Sequence, residues 1–230
     1  MTTTQKPSEA LILEAQKTWA DLNLFKSLYF LSLLNGKMTK EHFVHTQKAF
    51  YHAVSYFSRP MCLLASRINS TSARMDLIEN IYEEHGEMDP ESFHENTFKK
   101  WLQRLQAGSE IDLPLASCTD SFNSALMGVC QTDPVEKGIC CLGIIEYMFS
   151  HISKTIAESV VQLEWISHEN LIHYNLHADL DVKHAQDLFE IIDKIPNSNV
   201  ENCLEGIKLG AFIFSRLYED LYQMELSSIA

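Results

Sequence analysis

A single carboxylate in the middle of an apolar helical stretch limits what this chain can become. Between Val135 and about Leu163, the run Cys140-Cys141-Leu142-Gly143-Ile144-Ile145-Glu146-Tyr147-Met148-Phe149 carries Glu146 as its only charge. A helix that is apolar all round belongs inside a larger helical assembly. An ionised carboxylate buried there without a partner costs many kcal/mol, so Glu146 must be neutral, ion-paired or metal-bound. Gly138 and Gly143 in the same stretch suit close approach of a neighbouring helix.

The remaining segments also follow a helical period. Apolar residues run at that spacing from Glu9 through Leu34, stopped by Asn35-Gly36, and Thr39 opens a second helix reaching about Phe57. Pro60 begins a third, and Ser72 a fourth that ends at Glu83-Glu84-His85-Gly86, a glycine suited to a left-handed cap. Further helices are expected from about Pro90 to Gln106, Cys118 to Cys130, Val135 to Leu163, Ser167 or His168 to near Lys194, and Val200 to Glu225. Gly206 and Gly210, four apart in the last, suit tight packing. No alternating strand pattern and no internal repeat occurs. The expectation is an all-α, single-domain helical bundle over residues 1–230, with about seven to nine helices and residues 1–8 flexible.

Composition narrows the partners. A formal net charge of -13 leaves no basic concentration able to displace counterions from a nucleic acid. The polar N-terminus lacks the pattern of a signal peptide and no apolar stretch reaches spanning length, so no membrane role and a cytoplasmic location are expected. Six scattered cysteines without C-x-x-C spacing are read as reduced, buried thiols. Oligomeric state is open, a homodimer being the common case.

Polar residues on inward faces define the chemistry. In His177-Ala178-Asp179-Leu180-Asp181-Val182-Lys183-His184, steps of four and three keep His177, Asp181 and His184 within roughly 60° on one helix face. A solvated face is the bland alternative, although Glu169, Asn170, Lys183, Gln186 and Asp187 already give that helix a surface. His94 shares a stripe with Phe98, Trp101 and Leu105, where it is either a satisfied core histidine or a ligand. With a carboxylate at Glu83 or Glu84, and with Glu146, these make three carboxylates and three imidazoles. Such a set suits two metal ions of intermediate hardness with positions left open for oxygen.

These residues carry a resemblance to the haem-oxygenase-like di-metal oxidases and oxygenases, over about residues 20 to 225. The motifs are Asn80-Ile81-Tyr82-Glu83-Glu84-His85-Gly86 with His94 following, Gly143-Ile144-Ile145-Glu146-Tyr147, and His173-Tyr174-Asn175-Leu176-His177 through Asp181-Val182-Lys183-His184-Ala185. The turn Leu34-Asn35-Gly36-Lys37-Met38-Thr39-Lys40-Glu41 adds weaker support. The superfamily includes the chlamydial death-domain-associating protein and, more distantly, pyrroloquinoline-quinone synthase and the TenA thiaminases. The resemblance implies Glu84, His94, Glu146, His177, Asp181 and His184 as catalytic metal ligands, with Glu83 the rival of Glu84. It implies two iron ions, or a manganese–iron pair, that activate O2 to oxidise a small organic substrate.

Two departures are visible. The resemblance to the chlamydial protein implies a first-helix tyrosine consumed to build para-aminobenzoate; Phe30 stands at the matching place, with Tyr29 one step away. It also implies a lysine about ten residues after Glu146, where Ile156 stands and Lys154 is nearby. The alternative function is a helical protein-interaction module with a structural or vestigial metal site. Expected lining residues of the cavity are Phe50, Tyr51, Phe98, Tyr147 and Tyr174.

Overall fold

The computed structural model describes residues 6–105 and 115–224, and of residues 172 and 175–180 the backbone alone. In chain order the helices are α1 (Pro7–Leu22), α2 (Leu28–Leu34), α3 (Lys40–Val54), α4 (Ser58–Arg67) and α5 (Thr71–Glu84). Then come α6 (His94–Arg104), α7 (Ser117–Thr132), α8 (Val135–Gln162), α9 (Ile172–Ile191) and α10 (Val200–Gln223). No strand occurs among the described residues. The first expected helix is divided: Asn23 adopts φ 48°, a short 3-10 turn at Leu24–Lys26 follows, and α2 restarts after Ser27. Asn tolerates the left-handed region because its short amide bonds locally, here to Asp21 O. Counted as one, α1 and α2 bring the α-helices among the described residues to nine, within the expected range.

Helix α8 is the axis. At 28 residues it is about 42 Å long, and α9 and α10 pack along it while α4 and α7 cover another side. Glycine sets the closeness of α10. A Cβ on Gly210 would lie 2.5 Å from both Cys141 O and Ile144 Cγ2, so only hydrogen fits between the backbones. Gly143 of α8 likewise admits the Phe189 ring of α9, which a Cβ would meet at 3.1 Å. Helices α2, α3 and α9 are joined by a buried amide: Gln47 Nε2 donates to Tyr29 OH at 2.8 Å, and Tyr174 OH donates to Gln47 Oε1 at 2.6 Å.

Local signals account for most ends. Thr39 Oγ1 accepts from His42 N at the start of α3, and Ser70 Oγ accepts from Ala73 N at the start of α5. The helix expected from Pro90 begins at His94 instead, because two 3-10 turns, Gly86–Met88 and Pro90–Ser92, occupy the link. Gly86, Glu87 and Met88 all have positive φ there. The helix expected from Ser167 or His168 begins at Ile172, after a 3-10 turn at His168–Asn170. Of the stretch 1–8, residues 1–5 lie outside the described residues, while Ser8 is buried and donates Oγ–H to Asp193 at 2.6 Å. No helix of the described residues is long and apolar enough to cross a membrane.

Candidate metal centre

The last turn of α5, the first residue of α6, the middle of α8 and the inward face of α9 meet around a group of acids and imidazoles. Glu84 closes α5 and is nearly buried; His94 opens α6 at 4% exposure, and Glu84 Oε1 lies 2.9 Å from His94 Nδ1. The intervening turns bring these neighbours in sequence face to face. Phe98, Trp101 and Leu105 continue the His94 stripe into the core, as its spacing requires.

Glu146, 3% exposed, enters from α8, and Asp181 and His184 from α9 are fully buried. Oxygen or nitrogen atoms of Glu84, Glu146 and His184 lie within 4.8 Å of one another. Asp181 Oδ1 is 3.9 Å from His184 Nδ1. Five of the six expected residues are therefore brought to one region. The backbone of His177 stands one turn before Asp181 on α9, and its side chain lies outside the described residues.

Both candidate acids at the end of α5 are used, in different ways. Glu84 faces His94 and Glu146, whereas the Glu83 carboxylate contacts His184 Nε2 and lies 3.5 Å from Lys183 Nζ at the rim. Helical phase could not separate them, because the turns at Gly86–Met88 and Pro90–Ser92 interrupt the helix before His94.

Electrostatics shows the strain of assembling these charges. Burial, followed by the negative charges of Asp181, Glu84 and Glu83, drives the Glu146 carboxyl well above its ordinary range, while the nearby Asn80 side chain acts in the opposite direction. For His94, burial alone would lower proton affinity, but Glu84 overrides it, with Asp181 and Glu83 adding to the upward shift. Each proton retained in this way occupies a lone pair that a divalent cation could take. Glu146 Oε1 and His184 Nδ1 are buried with no hydrogen-bond partner among the described residues, a state that native interiors rarely tolerate. Carboxylate oxygen and imidazole nitrogen, with no thiolate, are donors suited to iron or manganese. The residues present therefore fit a metal centre.

A histidine that sequence reading passed over belongs to the same region. His173 is fully buried on α9, and its Nδ1 lies 3.0 Å from Thr97 Oγ1. Thr97 donates its one hydroxyl hydrogen to His94 O at 2.9 Å, so toward His173 it accepts, which places the ring proton on Nδ1 and the lone pair on Nε2. The signal was available: His173 precedes His177 by the same four-residue step that links His177 to Asp181.

Glu84, His94, Glu146 and His173 line part of a narrow cavity of about 40 Å³ that opens toward solvent. Its body is walled by Phe50, Phe57, Phe122, Phe149 and Phe214, with Ala53, Val54 and Ile145 between them. Of the expected lining residues, Phe50 is in this wall. Phe98 and Tyr174 instead back His173, with ring centroids 4.8 and 5.5 Å from it. Tyr51 turns toward Glu95 and Lys99, and Tyr147 packs on His151. Of the residues at the two departures, Tyr29 and Phe30 are fully buried, Ile156 is buried, and Lys154 is exposed.

Comparison with known proteins identifies relatives of the chain and of its fold. The chain is 21% identical over 184 residues to a 4-aminobenzoate synthase of Chlamydia muridarum, covering 77% of this chain and 75% of that protein. The 4-aminobenzoate synthase of Chlamydia trachomatis is also 21% identical, over 80% of each chain. Among solved structures, a CADD-like protein of unknown function from Nostoc punctiforme shares the fold, with a TM-score of 0.79 at 13% identity over 94% of this chain and 97% of that one. A TenA homologue from Pseudomonas syringae gives a TM-score of 0.74 at 15% identity over 94% and 92%. The sequence profile of the iron-containing redox enzymes matches residues 44–214. On the extent of that match, the chain belongs to the iron-containing redox enzyme family, with a haem-oxygenase-like fold.

Proposed function

We propose that the protein is an O2-dependent non-haem di-iron oxidase or oxygenase acting on a small organic molecule supplied from outside the chain. The observation that carries this reading is the convergence of Glu84, Glu146 and His184, with Glu146 Oε1 and His184 Nδ1 unpartnered among the described residues, beside an apolar cavity that Glu84 and Glu146 line. Glu84, His94, Glu146, Asp181 and His184 would hold iron, and the family resemblance adds His177. Iron held there supplies electrons to reduce O2 and the oxidising power to take hydrogen from, or add oxygen to, the substrate.

The chain's own groups do the remaining work. Asn80 favours the ionised form of Glu146 and so readies it as a ligand. Thr97 fixes the tautomer and tilt of His173 at the junction between the acids and the aromatic wall. The phenylalanines would keep water away from the neighbourhood of Glu84 and Glu146.

The chlamydial relatives are 4-aminobenzoate synthases. Two features support a different substrate here. Tyr29 is held by Gln47 and by Thr46 Oγ1, with Phe30 beside it, and Lys154 faces solvent while Ile156 fills the core.

Anaerobic loading with ferrous iron, elemental analysis and an oxygen electrode test the reading. About two irons per chain and consumption of O2 on aeration are expected. Stable iron content without O2 consumption would replace the oxidase with an interaction module that keeps a structural metal site, and activity without O2 would replace it with a hydrolase.

A further inference from the structure

Resting on the oxidase reading, the cavity also bears on what that oxidase takes. Its described lining contains no lysine, arginine, hydroxyl or amide; the polar lining residues are Glu84, His94, Glu146 and His173, all at the metal end. A carboxylate, phosphate or ammonium group placed among the phenylalanines would leave water and meet no counter-group. The metal end offers an anion little more. Glu84, Glu146 and Asp181 place three carboxylates there, and Glu83, paired with Lys183, a fourth, so an anionic substrate meets carboxylates and no cationic side chain of the described lining. An ammonium group would instead compete with the metal for the same carboxylates.

The wall itself is aromatic and apolar. The Phe50 and Phe149 centroids are 5.8 Å apart, and Phe149 and Phe214 are 6.1 Å apart and edge-on, so the wall is a set of mutually packed aromatic rings. Ala53 of α3, 4% exposed, is the smallest side chain in that wall. A larger residue there projects into the guest's space from a helix that supplies none of the expected ligands.

We infer that the substrate is a small, uncharged, predominantly apolar molecule received by the phenylalanine cage, with Ala53 setting the upper limit on its bulk. The test uses the full chain, metal-free and then loaded anaerobically with ferrous iron. It follows 4-fluorotoluene, 4-fluorobenzoate and 4-fluorobenzylamine by fluorine NMR titration, with iron content measured on the same samples. In the iron-loaded chain, fluorotoluene should bind about tenfold or more tighter than either charged probe. Its resonance should broaden on iron loading because the guest sits beside the ligands. Ala53→Phe should weaken fluorotoluene binding about fivefold or more with iron content retained, and Ala53→Val should weaken it less. Should Ala53→Phe fail to fold, Ala53→Val carries the comparison, with its melting temperature checked.

Equal or tighter binding of a charged probe, no binding of fluorotoluene, or unchanged binding in a folded Ala53 variant overturns the inference. Fluorotoluene binding in a chain that takes up no iron sinks the oxidase reading and leaves the cage; iron loading with a preference for fluorobenzoate does the reverse.

Discussion

Replacing Glu146 by Gln should stabilise the metal-free protein, increasingly so as pH rises, while weakening the iron-loaded one. Burial and the neighbouring acids push the folded-state carboxyl far above its ordinary 4.5. Over the window between 4.5 and that raised value, the folded chain holds one proton more than the unfolded chain. Stability contributed by this group is complete below that window and falls as pH rises, by up to about 1.4 kcal/mol per pH unit for one proton. Gln keeps the shape and carries no titrating proton, so this slope disappears. Between about pH 5 and about pH 7 the advantage of Glu146→Gln over the parent should grow by up to about 2.7 kcal/mol.

His94 contributes a slope of the same sign. Raised above 6.5 chiefly because Glu84 outweighs its burial, it stabilises fully below 6.5 and loses that contribution as pH climbs through its folded value. Both proteins share this contribution, so it largely drops out of the difference. Urea unfolding of chelator-treated protein across that pH range measures the effect. Anaerobic ferrous iron should reverse the order, because a neutral amide replaces an anionic ligand. Parallel pH dependences without metal, or a variant less stable at every pH, would refute the reasoning.

Asp181→Ala should lower iron content from about two to about one per chain by elemental analysis; full loading together with full turnover would break the proposed ligand set. Thr97→Val removes the acceptor that orients His173 and should lower O2 consumption about tenfold at unchanged iron content; undiminished consumption would show that the tether is idle. Gly210→Ala gains about 1 kcal/mol of helix propensity but forces a methyl against Cys141 O, an overpacking cost of about 1–3 kcal/mol, so its melting temperature should fall. An unchanged or raised melting temperature would mean that α10 can back away.

The all-helical architecture was legible because each long helix alternates its faces at a regular period, and Glu146 stood out as a charge with no surface to occupy. The link between Glu84 and His94 was less so. Left-handed backbone at Glu87 and Met88 follows from how two 3-10 turns fit together, which periodicity does not encode. For the same reason the two acids ending α5 could not be told apart. His173 was hidden by its company, reading as the flank of a motif although it kept the motif's step. The cavity wall was mostly illegible: Phe122 and Phe214 reach it from α7 and α10, and only the crossing of distant helices decides which aromatic faces inward.

The glycine seam between α8 and α10 also bears on how a guest could enter. Two helices whose backbones touch cannot roll or slide without collision, so the Phe214 side of the chamber is anvil rather than door. Helix α3 is fastened to α7 differently, by single side-chain hydrogen bonds from Thr119 to Ala49 O and from Asn123 to His52 O. Such tethers can break and remake one at a time, so of the two seams the one between α3 and α7, on the helix that carries Ala53, is the easier to part, while Gln47 keeps α3 fixed to α2 and α9.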